Sequence, residues 1–168
     1  HPNPITYTIY AQKVIHDGNT EGPIFKVSEG ATQRGEPDIA YNRHANRHLV
    51  VWEQYDNIAK IYDIIGRQIK GDGGVWAGGS EENYAYYSRD TINAAVAAIP
   101  TSPGDIKFFL VYQLEYSSGS YDIYGKFIKE DGKVDSTVHP ALGNNSETAP
   151  AVAGSEGAQE FLVVWRES

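Results

Sequence analysis

Leu49-Val50-Val51-Trp52, Phe109-Leu110-Val111-Tyr112 and Leu162-Val163-Val164-Trp165 are three copies of one apolar run. A second run follows the first two copies, as Tyr62-Asp63-Ile64-Ile65-Gly66-Arg67 and Tyr121-Asp122-Ile123-Tyr124-Gly125-Lys126. Its third copy stands at the other end of the chain, as Tyr7-Thr8-Ile9-Tyr10-Ala11-Gln12. From Trp52 to Tyr62 is 10 positions and from Tyr112 to Tyr121 is 9; counting from Trp165 off the C-terminus and on from His1 to Tyr7 gives 10 again. The chain is divided in the middle of a repeat, in register. A unit split in this way needs its two ends to meet, in one molecule or between neighbours.

Spread over 168 residues, three units have a mean length of 56, a period that points to propellers, solenoids or arrays. Each unit opens on small residues: Pro37-Asp38-Ile39-Ala40, Ala94-Ala95-Val96-Ala97 and Pro150-Ala151-Val152-Ala153. Such residues suit an inner strand where neighbouring sheets converge. The Leu-Val-Val-Trp run is the second strand. Its unbroken apolar character predicts burial on both faces, and the turn residues bounding it argue against a helix. The third strand alternates, as in Tyr121-Asp122-Ile123-Tyr124-Gly125-Lys126-Phe127-Ile128, and ends at Asp17-Gly18, Asp72-Gly73 or Asp131-Gly132. Asp-Gly is a strong hairpin signal, expected here as a tight turn with both central residues at positive φ. The fourth strand is the least regular: Ile24–Ser28 in one unit, and segments near Tyr84–Ser88 and Val138–Leu142 in the others.

Four strands per unit in a meander describe a β-propeller-like blade of four antiparallel strands. The expected organisation is a single all-β domain, 1–168: a half-blade at 1–34, blades at 35–91 and 92–148, and a half-blade at 149–168. The C-terminus supplies the first and second strands of the divided blade, and the N-terminus the third and fourth. Three blades are too few for a ring, which takes about four to eight. Two chains supply six, with the divided blades formed reciprocally across a twofold axis. The other outcomes are an open head-to-tail filament and a fragment of a longer array. In the shared blade Tyr7, Ile9 and Tyr10 meet Leu162, Val164 and Trp165. Left unpaired, the Leu162–Trp165 strand is an apolar edge prone to aggregation.

The series Pro-x-Ile/Val-Ala, Leu-Val-Val-Trp, Tyr-Asp-Ile-Tyr-Gly-Arg/Lys, Asp-Gly resembles a repeat of secreted bacterial and archaeal propeller-type proteins, and the resemblance covers essentially the whole chain. It implies export to the extracellular space or cell surface and a binding or scaffolding role without a cofactor. It does not imply an activity, because propellers host many unrelated functions.

Composition excludes several classes. A formal charge of −8 and the absence of any basic run argue against nucleic acid as a partner. No apolar stretch approaches the roughly 20 residues that span a bilayer, and no signal-peptide pattern opens the chain. Cysteine and methionine are both absent, which removes disulfides and thiolate metal sites and leads one to expect a processed mature chain or an excised segment. Twelve Tyr, three Trp and 17 Gly fit an exported β protein.

No catalytic motif stands out, and the chain reads as a non-enzyme. There is no Gly-x-Ser-x-Gly elbow and no cysteine nucleophile. A glycosidase carboxylate pair requires only that two groups lie about 5 to 9.5 Å apart in space, which chain spacing does not reveal. Asp72-Gly73-Gly74-Val75-Trp76 resembles the Asp-box turn of sialidase-like propellers. Its aromatic comes one position early, however, the leading Ser or Thr is missing, and an ordinary hairpin with a packed Trp accounts for it. Trp76, Tyr86, Tyr87 and Arg89 form a candidate glycan contact, since aromatic faces stack on sugar rings; alternatively, these aromatics fill the wedge between blades or a subunit contact. His44 and His48 lie four apart, but in a hairpin that spacing brings no metal-ligating pair together. Asp56, Asp63, Glu115 and Asp122 recur near the second-to-third strand turn, where solvated turn carboxylates explain them better than calcium does.

Overall fold

The computed structural model describes residues 5–30, 32–72, 79–100 and 106–168. Among them are twelve strands and no helix, arranged in four antiparallel sheets. An N-terminal pair consists of β1 (Tyr10–Val14) and β2 (Thr20–Lys26). A first four-stranded meander runs β3 (Arg34–Asn42), β4 (Arg47–Asp56), β5 (Ile61–Lys70) and β6 (Glu82–Ala85). A second runs β7 (Thr91–Ala98), β8 (Ile106–Ser117), β9 (Ser120–Lys129) and β10 (Val134–Ala141). A C-terminal pair, β11 (Glu147–Ser155) and β12 (Glu160–Glu167), completes the order. No closed barrel or ring forms among the described residues.

The continuous apolar runs are explained by packing on two faces. Along β4, Leu49 and Val51 enter the core shared with the second four-stranded sheet, while Val50 and Trp52 pack with Ile9 and Val27 of the N-terminal segment. Along β8, Phe108, Leu110 and Tyr112 face the first four-stranded sheet, and Phe109 and Val111 face Val152, Phe161 and Val163 of the C-terminal pair. Because strand side chains alternate between faces, β4 and β8 each serve two interfaces at once. The four sheets therefore stack face to face in chain order.

The glycine of the third strands is a packing requirement. A Cβ on Gly125 would lie 2.5 Å from the Phe109 ring, which is stacked at 4.4 Å on Phe127 and has Phe161 at 5.2 Å. A Cβ on Gly66 would lie 2.5 Å from the Tyr84 ring and 2.9 Å from the Val50 carbonyl.

Three local expectations need correction. The Asp17-Gly18 and Asp131-Gly132 turns place only the glycine at positive φ, Gly18 at 86° and Gly132 at 85°, while Gly73 of the third turn lies outside the described residues. In each, Gly N–H donates three residues back, to the Ile15 or Lys129 carbonyl. The Asp side chain accepts the N–H two residues on, from Asn19 or Lys133. These are three-residue loops ending in a left-handed glycine, which asks less of the aspartate than a two-residue turn. The fourth strands lie at Glu82–Ala85 and Val134–Ala141, upstream of the expected segments. After Ala85 the chain leaves the sheet, and Tyr87 packs inward, its hydroxyl 3.1 Å from that of Tyr112. Finally, β1 begins at Tyr10. Tyr7 is held by an isolated bridge to Thr32, and Ile9 by backbone bonds from Val27 and Ser28.

Candidate functional site

The two-stranded sheets carry the candidate site. β12 pairs with β11 and β1 with β2, so the outer edge of β12 and that of β1 pair with no strand among the described residues. Each presents unpaired backbone donors and acceptors, a template for strand addition. In the complete sheets these two positions face one another: β4 meets β5 with Trp52 opposite Ile65 and Val51 opposite Gly66, and β8 meets β9 with Tyr112 opposite Tyr124 and Val111 opposite Gly125.

Burial follows the same comparison. Leu162 and Val164 are 69% and 54% exposed, whereas their counterparts Leu49, Val51, Phe109 and Val111 are buried. Ile39 on β3 is 52% exposed, while its counterpart Val96 is buried against the preceding sheet. Tyr10 is 61% exposed, and its counterpart Ile65 is buried. Trp165 and Tyr7 are also exposed, and Ile9 is buried beneath Trp52. Beside β1 runs a groove of about 190 Å³, lined by Ala11, Phe25, Ile39, His48 and Ile69. Burial lowers the affinity of His48 for a proton, and its ring lies 4.7 Å from that of Tyr41, tilted by 36°.

Adjacent sheets are joined by a recurring clasp that sequence reasoning missed. Each first strand bulges at one residue of positive φ: Glu36 (44°), Asn93 (52°) and Ala149 (51°). The N–H of Asn93 donates to Glu53 Oε1 at 2.6 Å, and that of Ala149 to Gln113 Oε1 at 2.8 Å. Glu53 and Gln113 are the residues directly after Trp52 and Tyr112, so β4 and β8 each grip the bulge of the next sheet.

Burial raises the Glu53 pKa, helped by the nearby charges of Glu36 and Asp90 and opposed by the Asn93 N–H. A carboxyl whose pKa is raised on folding contributes most when protonated and loses that contribution as pH rises through the folded-state pKa. Near neutral pH, therefore, ionised Glu53 costs stability. Glu53→Gln keeps an oxygen for Asn93, as Gln113 does for Ala149. It is expected to raise the melting temperature at neutral pH, with the gain shrinking in mildly acidic buffer, as thermal melts at the two pH values will report.

Of the residues singled out for glycan contact, three lie among the described residues. Tyr86 is exposed. Tyr87 is wedged between sheets, its ring 6.4 Å from Tyr112 and 6.1 Å from Tyr124, with Lys126 Nζ 5.5 Å from its centroid. The Arg89 guanidinium donates to the Tyr116 carbonyl. Trp76 lies outside the described residues. His44 sits in the β3–β4 hairpin, where its N–H donates to Asn42 Oδ1, and it does not join His48. Among the described residues no three His, Asp or Glu side chains gather to hold a metal, and no helix is long and apolar enough to cross a membrane.

Compared with protein-family models, with curated proteins and with solved structures, the chain matches none.

Proposed function

We propose that this chain is a non-enzymatic, β-propeller-type assembly module of the extracellular space or cell surface. Two copies complete each other's terminal half-sheets and close a ring of six four-stranded blades. β12 of one copy pairs antiparallel with β1 of the other. The registers of the complete sheets carry over directly: Trp165 stands opposite the partner's Tyr10, Val164 opposite the partner's Ala11 and Val163 opposite the partner's Gln12. Leu162 and Val164 then enter the partner's groove beside Ile39, as Leu49 and Val51 pack beside Val96 within one chain.

The observation that carries this reading is the matched pair of free edges, with Leu162, Val164 and Trp165 exposed on β12 where their counterparts on β4 and β8 are all buried. Fully burying Leu162, Val164 and Ile39 is worth about 1.5–3 kcal/mol each, and every junction would be formed twice per ring. The high tyrosine and glycine content and the resemblance of the repeat to secreted propeller-type proteins support the location.

The absence of cysteine allows a direct test. With Ala11→Cys and Val164→Cys in the same chain, Cα atoms brought opposite one another across an antiparallel pair fall within disulfide reach. Oxidation is expected to give covalent species of twice the chain mass on a non-reducing gel. A ladder of higher multimers would make the same pairing open-ended, and a disulfide confined to single chains, or none, would overturn it.

A further inference from the structure

We infer that the junction between copies is selected by an ion pair between Arg166 of one copy and the partner's Glu36, in place of the clasp that joins sheets within the chain. The inference rests on the shared-blade reading. Within the chain, the residue after the aromatic of a second strand accepts a hydrogen bond from the bulge of the next sheet: Glu53 from Asn93, Gln113 from Ala149. At the third position of each series stand Arg166, directly after Trp165, and Glu36, 57 positions before Asn93 (93 − 36), against 56 between Asn93 and Ala149 (149 − 93). Arginine has no acceptor, so the internal clasp is not available to it. Glu36 is the charged member of the three bulge residues, and it carries the charge that a guanidinium requires. The internal pairs are therefore neutral or acidic acceptor with amide, and the end pair is cation with anion.

The surroundings fit. Arg166 and Glu36 are both exposed, and neither forms an ion pair among the described residues. Arg166 Nε donates to Thr148 Oγ1 at 3.2 Å, which holds the guanidinium against its own sheet and leaves its terminal nitrogens to reach outward. Glu36 lines a recess of about 290 Å³ together with Tyr7, Gln33 and Glu53. The transferred register leads Arg166 to Ser168 of the other copy towards this recess, opposite Ile9, Thr8 and Tyr7 in turn. Two carboxylates therefore border the space that an arginine would enter, and the Arg34 guanidinium that also lines it is already held by the Gln54 side chain and the Tyr7, Gly30 and Glu29 carbonyls. An edge carrying Glu or Gln in place of Arg166 would meet Glu36 with repulsion or with no charge, so the chain's tail would prefer the head of its own kind.

Charge exchange tests the pair. Glu36→Arg alone and Arg166→Glu alone place like charges at both junctions of a ring, and each is expected to weaken association at least about tenfold at low salt. Mixing the two variants restores an attractive pair at both junctions of the mixed dimer, and the double variant restores both in a homodimer. Association of the mixture and of the double variant should return to near the parent level. The parent should weaken with added salt more than Glu36→Gln/Arg166→Gln does. Circular dichroism of each single variant checks that the exposed substitutions leave the sheets intact. Single variants that associate like the parent, or losses that neither mixing nor the double variant repairs, overturn the ion pair and leave the shared blade standing. A parent that does not associate overturns both.

Discussion

Val164→Asp is expected to leave single chains in solution with their sheets intact. Val164 is half exposed on the outer face of β12, so a carboxylate there remains hydrated while the chain is alone. In the shared blade the same position faces the partner's groove beside Ile39 and Phe25, where an ionised carboxylate would lose its water and where Lys13, the lysine of that groove, is already paired with Glu21. Several kcal/mol are lost at each junction, and a ring has two. The particle mass should fall to that of one chain, with the far-ultraviolet circular dichroism unchanged. The counterpart Val51 makes the contrast: it is buried between the two four-stranded sheets, and Val51→Asp is expected to unfold the chain.

Trp52→Ala is expected to be the most destabilising single truncation. Trp52 is wholly buried between the N-terminal pair and the first four-stranded sheet, where Ile9, Val27, Val50, Ile65 and Ile69 surround it. Its indole N–H has no hydrogen-bond partner, so truncation removes packing without orphaning another polar group. Losing a buried tryptophan costs about 3–5 kcal/mol, because neighbouring strands close only part of the cavity. For a chain of this size that corresponds to a melting temperature lower by roughly 10 °C. Denaturant titration should show a lower midpoint at nearly unchanged slope. The N-terminal segment packs on the first four-stranded sheet through this cluster, so the loss should also weaken any junction that uses β1.

The parts of the fold legible in the sequence are those set by side-chain alternation. Leu49-Val50-Val51-Trp52 and Phe109-Leu110-Val111-Tyr112 read as strands covered on both faces, and each does supply two cores. The less legible parts depend on backbone geometry. The bulges at Glu36, Asn93 and Ala149 share a φ value and no residue type, so nothing in their chemistry marks them, although their near-equal spacing was available. The short β6 ends where Tyr87 turns into the inter-sheet wedge, a contact with Tyr112 and Tyr124 that local patterning does not encode. The column Glu53, Gln113, Arg166 was visible as the residue following each aromatic. Its meaning required the bulge N–H groups that the first two members receive.

The mass of the native particle, measured by light scattering behind a sizing column over a concentration series, tests the central claim most directly. The account predicts a stable species of twice the chain mass that persists on dilution, since both junctions must open together for the ring to dissociate. A species of one chain mass at every concentration would contradict it.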